Sequence, residues 1–144
     1  MFKLSNDEMK CISLFESLTG AVVKDCVVSE ELNSIAFVVK EGEMGRAIGK
    51  GGATIERARR AFGSKQLYVV ENAGDAKDFT VNLLRPVPIS NLNIQEKNNE
   101  KTAIVSVDSR DRGAAIGKGG ERIKMNRLLL TRHFGMDLRL VTKD

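Results

Sequence analysis

Two cysteines, one histidine and no tryptophan stand among 144 residues. Cys11 and Cys26 are too few for a disulfide framework. No Cys or His neighbours them at metal-ligand spacing, so they read as small apolar side chains and no metal site is expected. The single histidine, His133, falls near a helix C-terminus, where the dipole favours a surface role. The acids show no paired-carboxylate spacing, so no catalytic site is expected. Six Phe and one Tyr complete the aromatic complement. Tyr68 and Phe79 do not form a platform on which bases could stack. No run approaches 18 apolar residues, which excludes a transmembrane helix. Residues 1–8 lack the basic-then-apolar order of a signal peptide. These absences describe a cytoplasmic protein without cofactor or membrane partner that binds rather than catalyses.

The charge that is present is unevenly placed. Residues 44–63 carry Arg46, Lys50, Arg57, Arg59 and Arg60 against Glu56, a net of +4. Residues 110–135 carry Arg110, Arg112, Lys118, Arg122, Lys124, Arg127 and Arg132 against Asp111 and Glu121, a net of +5. The whole chain is +4, which leaves −5 for everything else. Positive charge gathered in two segments is the footprint of an anionic polymer.

Each basic segment surrounds one copy of an octapeptide. Gly45-Arg46-Ala47-Ile48-Gly49-Lys50-Gly51-Gly52 recurs 68 positions later as Gly113-Ala114-Ala115-Ile116-Gly117-Lys118-Gly119-Gly120. The order of predicted elements recurs with it. Ser5 and Glu8 predict a capping box, and Leu4 and Met9 a staple, ahead of an apolar stripe of Cys11, Ile12, Phe15 and Leu18. Strands are predicted at 21–28 and 35–39, then a short helix into the first glycine loop. Ile55, Ala58 and Phe62 share one face of the next helix, closed by Gly63. A third strand spans 66–70. After a linker at 72–74, Asp75 caps a second opening helix carrying Phe79, Leu83 and Leu84. Strands at 89–96 and 103–107 flank a turn at 97–101, and a helix at 121–134 leads to a last strand at 138–141. The reading is α+β, with domains at 1–72 and 75–144. The helix at 121–134 is apolar on more than one side, which predicts that the two units pack together.

Spacing decides what the loop can hold. A P-loop needs four residues before Gly-Lys and Ser or Thr after it; here three residues precede Gly49 and Gly51 follows Lys50. A dinucleotide fingerprint needs a third glycine where Thr54 and Arg122 stand. What fits is Ile-Gly-x-x-Gly-x-x-Ile between two helices, Ile48 to Ile55 and Ile116 to Ile123. In that motif the chain resembles the KH family of RNA-binding domains, whose GXXG loop clamps about four backbone nucleotides. Glycine removes the Cβ atoms that would hold a sugar-phosphate chain away. The next helix offers free N–H groups at its N-terminus, Lys50 and Lys118 add mobile charge, and the isoleucines on both sides are expected to anchor the helices in the core. Two strands precede each loop and one follows, the type II order of that family. Two type II units in tandem resemble the RNA-binding core of the NusA family of transcription termination and antitermination factors. There is no room for the N-terminal polymerase-binding domain or the S1 domain of bacterial members, so the resemblance is to the short archaeal-type form.

The resemblance implies single-stranded RNA, a nascent transcript, as partner, held by a monomer. RNA polymerase is a second candidate partner, although the bacterial part that binds it has no counterpart here. The implied RNA-binding residues are Arg46, Ile48, Gly49, Lys50, Gly51, Gly52, Arg57 and Arg60 in the first unit. In the second they are Ile116, Gly117, Lys118, Gly119, Gly120, Arg122 and Lys124. A KH factor of ribosomal RNA maturation or the ribosome is the alternative.

Overall fold

The computed structural model describes residues 4–143. The expected domain limits at residues 1 and 144, and the first three residues of the opening segment, lie outside the described residues. The chain divides into two compact units, Met1–Asn72 and Ala73–Asp144.

In the first unit Ser5 is extended and its hydroxyl accepts from the Glu8 N–H (3.1 Å), while Glu8 accepts from the Ser5 N–H (3.1 Å). This capping box starts α1 (Asn6–Thr19), and Gly20, left-handed at φ 76°, ends it. Met9 is 48% exposed, so the expected staple adds little to the start of the helix. Phe15 on the buried face stacks on Phe37 with ring centroids 4.1 Å apart, and Phe62 tilts against Phe37 at 5.4 Å. Around these rings lie Cys26, Ile35, Val39, Ala47, Ile55, Ala58 and Leu67.

Strand β1 (Val23–Ser29) pairs antiparallel with β2 (Ser34–Val39), and β2 pairs parallel with β3 (Gln66–Glu71). The order is β1-β2-β3, so β2 is central and every one of its residues is buried. Between β2 and β3 run α2 (Met44–Ile48), the glycine loop and α3 (Ala53–Ala61). The two sheet edges are treated differently. On β1 the N–H groups of Val23 and Val28 donate to the carboxylates of Glu16 (2.9 Å) and Glu8 (3.2 Å) from α1. Charged side chains thereby close an edge that another strand could otherwise join. On β3 an arginine reaches a strand carbonyl, as described below.

The second unit repeats the order: α4 (Ala76–Leu84), β4 (Asn91–Lys97), β5 (Glu100–Asp108), α5 (Arg112–Ile116), loop, α6 (Glu121–Phe134) and β6 (Asp137–Lys143). Its sheet order is β4-β5-β6, with β4 antiparallel and β6 parallel to β5. Each unit is thus a three-stranded sheet with helices against it, the α+β architecture expected. The β4–β5 turn is tighter than expected. Only Asn98 and Asn99 are unpaired, at φ 55° and 65°, because asparagine tolerates the left-handed region that a two-residue hairpin turn requires. Along β5 the residues Ala103, Val105 and Val107 are buried while Thr102, Ile104 and Ser106 are half-buried, the period of a sheet covered mainly on one face. Phe79 of α4 stacks on His133 (5.0 Å) and tilts against Phe134 (5.4 Å) at the end of α6.

Asp75 caps α4 by accepting from the Asp78 N–H (2.9 Å), and this bond holds its carboxyl below the usual aspartate range. A depressed folded-state value means that the cap's contribution is present above about pH 3.8 and lost as pH falls through the lower folded value. Asp75→Asn, which keeps the cap but cannot titrate, is expected to flatten that part of the acid limb of a melting-temperature profile.

No helix among the described residues is long and apolar enough to cross a membrane.

Candidate nucleic-acid interface

The two glycine loops have one backbone conformation. Gly49 and Gly117 stand at φ 75°, ψ 170° and φ 78°, ψ 169°; Gly51 and Gly119 at φ 63°, ψ 17° and φ 64°, ψ 16°. Gly49 N–H donates to Gly45 C=O (2.8 Å) and Gly117 N–H to Gly113 C=O (2.9 Å), ending α2 and α5 alike. The next turn closes with Gly52 N–H on Gly49 C=O and Gly120 N–H on Gly117 C=O, both at 3.1 Å. Ala53 and Glu121 N–H then donate to the carbonyls of Lys50 and Lys118. The N–H groups that sequence reasoning offered to a phosphate at the helix start are therefore partly occupied by the turn itself. Those of Lys50 and Gly51, and of Lys118 and Gly119, lie outside that turn's hydrogen bonds.

The first glycine of each loop also has a packing role that the sequence did not suggest. A Cβ built on Gly49 would lie 2.6 Å from Thr54 Cβ and 3.0 Å from Thr54 N, and one on Gly117 would lie 2.6 Å from Arg122 Cβ and 3.0 Å from Arg122 N. The first glycine thus lets the loop fold down on the start of α3 or α6. At Gly51 and Gly119 a Cβ meets nothing within 4 Å, and only the positive φ restricts the residue.

The isoleucines on either side are not equivalent. Ile55 and Ile123 are buried, as expected. Ile48 is 39% exposed and Ile116 half-buried, and the core positions of α2 and α5 belong to Ala47 and Ala115. The expectation that Ile48 and Ile116 anchor the core is corrected: they form apolar surface next to the loop. In the first unit α2 packs beside the edge strand β3. In the second, Arg112 at the start of α5 donates to Thr142 Oγ1 of the edge strand β6 (3.0 Å). A loop rich in N–H groups, an apolar residue and a strand edge thereby come together twice.

Lys50, Arg57, Arg60, Lys118 and Lys124 are exposed and make no ion pair among the described residues. Arg46 is 69% exposed at its side chain and reaches Glu43 only at 3.9 Å. Arg122 behaves otherwise. Its guanidinium donates to the carbonyls of Ala114 (2.9 Å), Leu83 (3.3 Å), Leu84 (3.0 Å) and Arg85 (2.8 Å). Three of these are at the C-terminal end of α4, where backbone carbonyls lack helical partners. Arg122 therefore ties α4 to the loop region, a positioning role that the expectation of RNA contact did not include. Arg122→Ala is expected to destabilise the second unit by about 2 kcal/mol, the order for hydrogen bonds from a charged donor. A melting curve reads this out, and the salt dependence of RNA binding is expected to stay as it was.

Sequence reasoning counted Arg59 and Arg127 only as charge. Arg59 Nη1 donates to Leu67 C=O of β3 (3.1 Å), and Arg127 Nε donates to Leu138 C=O of β6 (3.0 Å). Each joins the helix after the loop to the edge strand. Their separation of 68 positions equals that of the two loops and was the signal available for finding them.

The comparisons with known proteins agree with this geometry. Residues 11–72 match the KH domain model, and residues 76–140 match that of the NusA-like second KH domain. The chain is 40% identical to the probable transcription termination protein NusA of Halococcus morrhuae, over 93% of this chain and 94% of that protein. The chain belongs to the NusA family. Another NusA family member, the probable transcription termination protein NusA of Methanococcus vannielii, is 39% identical over 84% of this chain and 68% of its own length. The crystal structure of APE1850 is similar with a TM-score of 0.78 and 41% identity, covering 97% of this chain and all of that one. A match over 93% of the chain spans the positions of both glycine loops.

Proposed function

We propose that this NusA-family chain is a single-stranded RNA-binding protein of transcription termination or antitermination. Each unit holds a short segment of the nascent transcript between its glycine loop and its edge strand, β3 or β6. The observation that carries this reading is the pair of loops with one backbone geometry, each beside an exposed lysine and a strand edge. The sugar-phosphate chain lies on the loop N–H groups and on Lys50 or Lys118. Bases turn toward Ile48 or Ile116 and the edge strand, where hydrogen bonds to base edges select among them. Binding, not catalysis, is the activity, and the protein acts as a cytoplasmic monomer. The relatives' names favour a transcriptional role over ribosomal RNA maturation. RNA polymerase contact is a finer proposal that RNA binding does not require.

Crosslinking in cells followed by sequencing of the bound RNA tests the assignment. Nascent messages across many transcription units are the expected recovery. Recovery confined to pre-ribosomal RNA would move the protein to the alternative role.

A further inference from the structure

By sequence the second basic segment is the more positive, +5 against +4. The folded units reverse that ranking. Of the seven cations at residues 110–135, Arg122 is bound to four carbonyls and Arg127 to Leu138 C=O. Arg110 sits 3.7 Å from Asp108, and Arg112 donates to Thr142. Arg132 lies in the last turn of α6, about 18 Å along the helix from the loop at 1.5 Å per residue. Lys118 and Lys124 remain, with Glu121 in the first turn between them. In the first unit Arg59 is bound to Leu67 C=O and Arg46 lies 3.9 Å from Glu43, while Lys50, Arg57 and Arg60 stay exposed, with Glu56 in the first turn of α3. At the repeat offset Arg46, Arg57 and Arg60 face Ala114, the buried Met125 and Leu128, which is 46% exposed.

We infer that the two clamps are unequal: the first unit is the phosphate anchor, and the second holds RNA mainly through uncharged contacts. This rests on the RNA-binding reading above. Three free cations against two lead to a division of the salt dependence. At about 0.7 per phosphate neutralised on single strands, the first unit supplies a slope of about −2.1 and the second about −1.4. The first clamp therefore grips any single strand and weakens steeply with salt, whereas the second keeps its grip as salt rises and carries more of the discrimination among bases.

The test measures the full chain on a pool of mixed-sequence single-stranded RNA across a salt series. One variant carries Lys50→Asp with Gly51→Asp, and the other Lys118→Asp with Gly119→Asp. Loss of the first clamp is expected to remove about three-fifths of the slope of log Kd on log salt, and loss of the second about two-fifths. Two surface variants leave the loop backbone untouched. Arg57→Ala with Arg60→Ala is expected to lower the slope by about 1.4, and Lys124→Ala by about 0.7. Equal losses from the two clamps, or a larger loss from the second, would overturn the inference. If no variant alters affinity, the RNA-binding reading fails together with it.

Discussion

Replacing Lys50, Gly51, Lys118 and Gly119 together by aspartate abolishes binding to single-stranded RNA and leaves the fold in place. The two halves of this expectation have separate physical grounds. Each loop changes from a positive point charge to a pair of carboxylates where a phosphate would lie. Two like charges at about 4 Å cost roughly 1–4 kcal/mol each, depending on how well water screens them. Two such loops lower affinity by at least about a hundredfold, since each 1.4 kcal/mol is a factor of ten. One altered loop also removes the gain in effective concentration that two clamps on one chain provide, so a single-loop variant loses much of the affinity. The fold survives because Gly51 and Gly119 have open space around them and need only a left-handed backbone. Aspartate enters that region at about 1 kcal/mol, a few degrees of melting temperature for a unit of this size. Fluorescence anisotropy on a labelled single strand, beside a thermal melt, reads both halves. Unchanged affinity in the folded variant would sink the site assignment.

Gly49→Ala or Gly117→Ala is the opposite experiment, damaging the fold before it touches binding. Both residues are near φ 75°, ψ 170°, a region that is essentially glycine's alone and costs other residues about 1–3 kcal/mol. The new methyl would also press within 3.0 Å of a backbone nitrogen, Thr54 N or Arg122 N. Backbone at the start of a packed helix cannot step aside as a flexible side chain does. Together these effects predict about 3 kcal/mol or more per site, or roughly 12–24 °C from the affected unit's melting temperature. Gly51→Ala, two residues away and without a contact to make, is expected to cost about 1 kcal/mol. Calorimetry of the three variants measures the contrast. Similar melting temperatures for Gly49→Ala and Gly51→Ala would contradict the packing role of the first glycine.

The elements that could be read in advance are those governed by neighbours in the chain. The Ser5–Glu8 box, the Asp75 cap and the face of α3 carrying Ile55 and Ala58 all depend on residues within one or two turns. The β4–β5 turn is shorter than the predicted 97–101 because Asn98 and Asn99 both tolerate positive φ, which lets Lys97 pair with Glu100. The exposure of Ile48 is hidden from the sequence for a different reason. Neighbouring helix positions differ by about 100° in direction, and a five-residue helix is too short for periodicity to show which face is buried.

The sequence by itself determined that two similar units exist, the order of their elements, and that each carries a glycine loop unable to serve a nucleotide but suited to an RNA backbone. These conclusions survive because spacing and glycine content act locally and recur 68 residues apart. Tertiary structure decided which charges are available to a ligand. An arginine side chain extends to carbonyls far away in sequence, and the partners of Arg122 stand 37, 38 and 39 residues from it. A count of charges along the chain cannot see such a bond, because folding, not composition, brings the donor to the acceptor. The same physics leaves three cations without a bonded partner among the described residues beside the first loop, Lys50, Arg57 and Arg60, and two beside the second, Lys118 and Lys124.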